Sequence, residues 1–362
     1  MIGVPTLGRI ASQRERPLMS RKKTCVVLLS AFVQSIAALA HATIVTAVGS
    51  NGTIIQSLDS GVTWTPQLSN NAPSLTDVDF IDGHNGWAIG DSLAMAPTVR
   101  KTVNGGQNWQ VVTVPPIASQ PGHGITGVHF VNANVGWLIG NPGLVFDTTD
   151  DGATWGQQSN GVPASDLHDL NFVDSNNGWI VGDDGRGLIL RTTDGGANWH
   201  TQFTGASGEV LLGVDFVDSN TGWTVGTSVI RHTTDGGATW NIQAGGYLRD
   251  VEFVDAMTGW AVGKSGVIVH TTDGGVNWVE QFRFANSNND LNAVDFISRD
   301  EGWAAGGAGT ILHTINGGAT WLPQTTGTDA TLYGLSAVPE PSTLALAAFG
   351  VFGLLIAARR RR

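Results

Sequence analysis

All thirteen tryptophans of this chain fall into two repeating registers, and few architectures accommodate that arithmetic. Seven of them, Trp64, Trp109, Trp155, Trp199, Trp240, Trp278 and Trp321, close a motif of the form Ser/Thr-x-Asp/Asn-x-Gly-x-x-Trp. The other six, Trp87, Trp137, Trp179, Trp223, Trp260 and Trp303, sit in Gly-Trp pairs followed three residues later by glycine. The registers alternate at about 40–45 residues per cycle, the period of a four-stranded blade. Seven copies predict an all-β, seven-bladed β-propeller of four-stranded antiparallel blades.

Residues 247–281 show one blade. Leu248, Val251 and Phe253 open a first strand, Gly259–Gly263 is a second, Val267–Thr271 a third and Asn277–Gln281 a fourth. Alternating apolar positions bounded by Gly, Asp and Asn mark half-buried antiparallel strands. The turn before Trp278 resembles the Asp-box. Its aspartate is expected to accept backbone N–H bonds, its glycine to take positive φ and its tryptophan to fill space under the turn or between blades. The positions are Asp59, Asn104, Asp150, Asp194, Asp235, Asp273 and Asn316. Two are amides, so geometry rather than acidity is what the position needs, and a structural role is expected for all seven.

The first repeat, from Ile44 to Gln67, lacks a first strand, and Leu332, Leu335 and Val338 carry the missing spacing near the other end. Residues 331–338 are therefore expected to pair with residues 44–49 and close the ring, removing its open sheet edges.

Both ends read as targeting segments. Arg21, Lys22 and Lys23 precede an apolar run from Cys25 to Ala40, and Ala40-His41-Ala42 has the small-residue pattern of a signal-peptidase site. Residues 1–42 are read as a signal peptide, the alternative being an uncleaved anchor. The apolar run falls short of the ~20 residues of a stable span. At the other end Pro339-Glu340-Pro341 precedes an apolar segment from Leu344 to Ala358 and then Arg359–Arg362. That is a short transmembrane segment with its charges held at the cytoplasmic face. Residues 339–362 resemble a PEP-CTERM sorting signal. The resemblance implies recognition by an exosortase, removal of the tail, and release to the cell surface or extracellular matrix of a Gram-negative bacterium.

Between these ends, residues 43–338 hold nine Lys/Arg against twenty-eight Asp/Glu, a balance near minus nineteen. Such a surface repels nucleic acid and anionic membranes. The single cysteine, Cys25, lies in the signal segment, so disulfides do not hold the domain. No calcium loop, phosphate loop or nucleophile elbow occurs, and no metal or cofactor is expected. His232, His270 and His313 occupy equivalent positions on three repeats and share that register with Gln56, Lys101, Asp147 and Arg191, which reads as an exposed polar position.

Two regions are expected to carry recognition. Connections between blades and the loops joining second to third strands share one face, opposite the Asp-box turns. Irregularity concentrates there, at Asp91–Pro97, Val114–Gly124, Asp183–Gly187 and Phe284–Asp290. At one register of the inner strands stand Thr76, Thr126, His168, Leu212, Arg249, Asn292 and Tyr333, flanked by Asp77, Asp169 and Asp250. Facing the axis, these form a polar, asymmetric rim for a small ligand or peptide end; the alternative is plain solvated channel lining.

Across residues 44–337 the Leu-x-x-Val-Asp-Phe strand, Gly-Trp-x-x-Gly and the Asp-box together resemble the photosystem II assembly and stability factor family of seven-bladed propellers. The resemblance implies a non-catalytic scaffold that binds other proteins during assembly; separately, a monomer is expected. Two alternatives come from different classes. One is a cell-surface or biofilm-matrix module binding polysaccharide. The other is a secreted Asp-box glycoside hydrolase, for which the paired acids Asp183 with Asp184 or Asp250 with Glu252 are the available carboxyls. A sialidase-type site would need an arginine cluster around Tyr247 or Tyr333.

Overall fold

In the computed structural model, residues 43–67, 73–90, 98–115, 124–162, 164–285 and 289–339 are described. They form seven four-stranded antiparallel sheets. The seven innermost strands, Leu332–Pro339, Leu75–Phe80, Gly124–Phe130, Asp166–Phe172, Leu211–Phe216, Leu248–Phe253 and Leu291–Phe296, touch one another in a closed cycle, which makes the sheets blades about a common axis. We number the blades 1–7 in that order. The signal segment, most of the loops 91–97 and 114–124, and the apolar segment 344–358 lie outside the described residues. Among the described residues no helix is long and apolar enough to cross a membrane.

Blade 1 is assembled from both ends of the chain. Thr43 to Gly49 runs antiparallel to Leu332–Pro339, with Ile44 opposite Val338 and Ala47 opposite Leu335. Pairing therefore reaches one residue further at each end than the pattern predicted, to Thr43 and Pro339.

The aromatic repeats explain how the blades adhere. In blades 2–7 the phenylalanine ending the inner strand pairs across the sheet with the glycine of the Gly-Trp motif, as Phe80 does with Gly86. A Cβ on Gly86 would lie 2.6 Å from the phenyl ring, so only glycine leaves room. The other face of the ring is covered by the Gly-Trp indole of the preceding blade. Five such pairs, Trp87/Phe130, Trp137/Phe172, Trp179/Phe216, Trp223/Phe253 and Trp260/Phe296, stack with centroids 3.4–3.6 Å apart and planes within 11°. The second tryptophan of each blade meets the same phenyl edge-on, at 5.7–5.9 Å and 87–90°. The six Gly-Trp indoles are 0–1% exposed, the largest buried side chains of the molecule. Aromatic pairs of this kind contribute about 0.5–1.5 kcal/mol beyond their buried area.

Blade 1 departs from the pattern in a compensated way. Ala337 stands where the others have phenylalanine, and its cross-strand partner is Val45 instead of glycine, so bulk has moved from one strand to the other. Thr46 replaces the indole, and Gln56 fills the space by donating a 3.0 Å hydrogen bond to its hydroxyl. A chain ending at Thr331 leaves blade 1 without its inner strand and should unfold broadly and non-cooperatively in urea. One ending at Pro339 should retain a single transition when followed by tryptophan fluorescence and circular dichroism. Equal cooperativity of the two would contradict closure by the terminal strand.

Candidate functional site

Each inner strand carries one irregularity near its start. The register with the second strand shifts between Leu75 and Asp77, Ile125 and Gly127, Leu167 and Asp169, Leu211 and Gly213, Leu248 and Asp250, and Leu291 and Ala293. A matching shift falls opposite Tyr333 in blade 1. The extra residue of each bulge is Thr76, Thr126, His168, Leu212, Arg249, Asn292 or Tyr333. A bulge re-aims its side chain, and these seven converge on one cavity of about 120 Å³, with Asp77, Asp169 and Asp250 beneath them. Because all seven blades contribute, the cavity lies on the axis. The bulge also accounts for the last glycine of Gly-Trp-x-x-Gly, since a Cβ on Gly90 would run into the Ser74 carbonyl.

The rim side chains are largely committed to their neighbours. The Thr76 hydroxyl donates to the Ile125 carbonyl (3.1 Å), Thr126 to Leu167 (2.7 Å) and the Asn292 amide to Leu332 (2.7 Å), each bond crossing to the next blade. His168 contacts the Asp183 carboxylate at 3.1 Å, and the Arg249 guanidinium donates to Asp290 at 2.9 Å. Tyr333 remains 40% exposed. Asp183 and Asp184 are thus separately engaged, the latter 3.7 Å from Arg186, rather than facing each other as a catalytic pair.

Below the rim the acids that the sequence reading named only as flanking residues have a role it did not foresee. Asp77, Asp169 and Asp250 accept the N–H groups of Val128, Val214 and Val294 on the following blade, at 2.8–2.9 Å. The blades between them carry Gly127, Gly213 and Ala293 at the same register. One level further down, Asp79, Asp215 and Asp295 accept the N–H of Phe130, Phe253 and Ala337. Ser336 accepts that of Phe80 at 3.1 Å, and His129 reaches the Phe172 carbonyl at 3.0 Å. The alternating Asp in the Val-Asp-Phe strand was the available signal. Acids there join inner strands whose edges face each other without a ladder.

Enclosure raises the pKa of these acids by removing their charged forms from water, and mutual repulsion adds to it at Asp77, Asp215 and Asp295. Asp77 is pushed up to about 8, Asp215 and Asp295 to about 7 and Asp250 to about 6. Asp79, Asp169 and Glu252 are also raised. Among the described residues no group of three or more His, Cys, Asp or Glu side chains is arranged to hold a metal ion.

The opposite face carries the Ser/Thr-x-Asp/Asn turns. In blade 6 Asp273 accepts the Thr271 hydroxyl and the Asn277 N–H on Oδ1 (both 2.9 Å) and the Asn277 amide on Oδ2 (2.7 Å). Gly274 and Gly275 take φ of 70° and 85°, which glycine adopts without steric cost. Asn104 and Asn316 keep the Oδ1 bonds, at 2.9–3.0 Å. Hydrogen bonds from Asn277 hold the Asp273 carboxyl below its ordinary range, and those from Thr239 bring Asp235 to about 2. The turns of blades 4–7 present a glycine carbonyl to the preceding blade, where the indoles of Trp137, Trp179, Trp223 and Trp260 donate to it at 3.1–3.3 Å.

One sequence reading is corrected here. The register of His232, His270, His313, Lys101 and Arg191 is not an exposed polar position. The three imidazoles stack on Trp223, Trp260 and Trp303 at 4.6–4.8 Å, and the cations lie 5.3–5.6 Å over Trp179 and Trp87. Gln56 is buried against Thr46. These side chains lie over the outer part of each indole, sealing the joint from the rim of the sheet.

Comparison with known proteins follows from this geometry. The profile described as photosynthesis system II assembly factor YCF48 matches residues 67–165, 160–245 and 241–329. The chain belongs to that family. Among solved structures it resembles one described as YCF48 bound to D1 peptide (TM-score 0.56, 25% identity, covering 72% of this chain and 83% of that one). It also resembles YCF48 from Cyanidioschyzon merolae (TM-score 0.54, 20% identity, 72% and 88%) and the computationally designed Ika8 protein (TM-score 0.58, 15% identity, 80% and 86%). The last two show the fold alone. A PEP-CTERM protein-sorting motif matches residues 337–362, which supports export and membrane-associated sorting. No curated protein matches the chain.

Two outcomes test this site. The enclosed acids have folded pKa values above their unfolded ones, so their contribution to stability is greatest below about pH 4, where both states are protonated, falls as pH rises, and the loss is complete once pH passes the folded values of about 6–8. His232 and His270, kept neutral by burial, oppose this below about pH 6.5. The melting temperature should therefore fall between pH 6 and pH 9; a flat or rising profile would contradict the acid belt. On the other face, Asp273→Asn should melt close to wild type and Asp273→Ala clearly lower. The reverse order in differential scanning calorimetry would show that the turn needs a charge.

Proposed function

We propose that this chain is an exported, exosortase-sorted, non-catalytic propeller that serves as a protein-binding or assembly scaffold on the outside of the cell. The observation that carries the reading is membership of the YCF48 family over most of the propeller, together with a solved relative described as bound to a peptide. The sorting motif at residues 337–362 supports processing by an exosortase and destines the domain for a different location from a photosystem. Residues 1–42 serve as the signal peptide, and Thr43 begins the mature chain with the first residue of its closing strand pair.

The partner engages the loop face. On that face the axial rim of Thr76, Thr126, His168, Arg249, Asn292 and Tyr333 offers hydroxyl, imidazole and guanidinium groups around a small polar cavity. The acids below it, pushed toward their neutral forms, disfavour an anionic group and can share hydrogen bonds with a neutral or cationic one. The Ser/Thr-x-Asp/Asn face, by contrast, is occupied with holding blades together. Processing at the sorting motif spares the ring as long as the cut falls after Pro339, the last residue paired with Thr43.

The test is expression with a cognate exosortase. The released protein should carry Thr43 at its N-terminus and end beyond Pro339 by intact mass, and a photo-crosslinker at Tyr333 should capture a defined protein. A cell-associated chain with both ends intact would overturn the export reading. Turnover of a polysaccharide panel that is lost in Asp250→Asn would overturn the non-catalytic one. Saturable polysaccharide binding without turnover would replace the protein partner with a matrix ligand.

A further inference from the structure

A groove of about 450 Å³ opens between blades 5 and 6, away from the axis, and the account above gives it no role. Its floor is apolar, formed by Ile230, Leu248, Val267, Val269 and Trp278. Its mouth carries Tyr247, Lys264, Glu280 and Arg283 on the side of the blade connection Gly245–Tyr247.

The repeat explains why the space exists. In blade 6 the outer strand places Phe282 opposite Ile268, and Phe284 follows two residues later. Those rings meet edge to face at 5.0 Å and 87° and pack into the cluster between blades 6 and 7, against Trp321 and its neighbours. In blade 4 Phe203 takes the same position opposite Ile189 and packs between blades 4 and 5. In blade 2 Val112 and Val114 fill the joint to blade 3. In blade 5 the residue opposite Ile230 is Ala244, and Gly246 stands at the position of Phe284. Glycine also holds the Phe284 position at Gly161, Gly205 and Gly327, so the second phenyl is peculiar to blade 6. The cluster between blades 5 and 6, with Trp278 and Val269 in its floor, lacks the one ring that Phe203 and Phe282 supply to the joints on either side. Interiors of proteins are close-packed, so a joint missing that ring has the shape of a receptor for one.

The mouth adds charge to that shape. Residues 43–338 contain only nine Lys/Arg; Lys264 and Arg283 line this groove, and Arg249 of the axial rim reaches its edge over Tyr247. Arg249 is balanced by Asp290 at 2.9 Å and Arg283 by Glu280 at 2.7 Å. Lys264 has no carboxylate within ion-pair distance among the described residues, and its ammonium lies 5.5 Å from the centroid of the Tyr247 ring, which Arg249 also approaches at 5.5 Å. The groove thus pairs an apolar slot with a cation at its edge that makes no direct ion pair among the described residues and acts on Asp290 only at longer range.

We propose that this groove binds an extended protein segment through an aromatic side chain flanked by an acidic residue, the ring seated on Trp278 and Val269 and the carboxylate at Lys264. The assignment rests on the scaffold reading and names the chemistry of a partner on the same face of the ring. The neighbouring blade's own Phe282 is the internal counterpart of the ligand, which favours a peptide side chain as the occupant.

The full chain labelled with 5-fluorotryptophan and titrated with the peptides acetyl-Glu-Phe-Asp-amide and acetyl-Glu-Ala-Asp-amide tests it, the Trp278 resonance being assigned through Trp278→Phe. The phenylalanine peptide should shift that resonance saturably, and the alanine peptide should bind at least tenfold more weakly. Ala244→Phe, which rebuilds the blade 6 arrangement, should abolish the shift while melting no lower than wild type, and Lys264→Ala should weaken binding several-fold. No saturable shift, equal binding of both peptides, or undiminished binding by Ala244→Phe would overturn the proposal. A protein crosslinked equally well to wild type and Ala244→Phe would also overturn it while leaving the scaffold reading in place. Specific peptide binding without any partner at the rim would support the groove and count against the rim.

Discussion

At five of the seven joints one phenyl ring, held between the glycine of its own blade and the indole of the blade before it, is the contact on which the ring depends. A four-stranded sheet of this size cannot bury both faces by itself, so each blade is stable only against its neighbours. The glycine makes room, the first tryptophan covers the exposed face, and the second closes the edge. The Ser/Thr-x-Asp/Asn turn then returns a glycine carbonyl to the preceding indole, as Gly274 does to Trp223 at 3.1 Å. Motifs that look independent along the sequence are the two halves of one joint.

The axis obeys a different constraint. Inner strands of neighbouring blades approach edge to edge without forming a ladder, leaving backbone N–H groups that need acceptors. Carboxylates provide them from the adjacent strand, at the cost of gathering seven acids around a narrow channel. Their raised pKa values express that cost, and the alternation of Asp77, Gly127, Asp169, Gly213 and Asp250 limits it by spacing the acids one blade apart. A channel so lined is poorly suited to anionic ligands. The acidic segment proposed above would instead meet the chain off the axis, at the joint where Ala244 leaves an apolar slot beside Lys264.

Much of this was legible in the residues. The two tryptophan registers fixed blade number, and the strand missing before Ile44 located the closure at Leu332–Pro339, because both depend on counting a strict repeat. The rim register was also legible, since the bulge places the same position of every inner strand on the axis. Three features were not. The acid belt is hidden because an aspartate in a strand reads as solvent-facing until the neighbouring strand's N–H is seen. The histidine and lysine register looked exposed because polarity on an outer strand does not reveal an indole beneath it. The groove is defined by what Ala244 lacks, and a small residue announces no site until the equivalent Phe203 and Phe282 are seen filling theirs.

A double-mutant cycle between Trp223 and Phe253, each changed to leucine singly and together, tests the joint most directly, since the rings belong to different blades and stack at 3.4 Å. Equilibrium unfolding should give a coupling of about 0.5–1.5 kcal/mol, the range of stacked aromatic pairs. Losses that add to within about 0.3 kcal/mol, as for independent sites, would contradict the claim that these contacts hold the blades together.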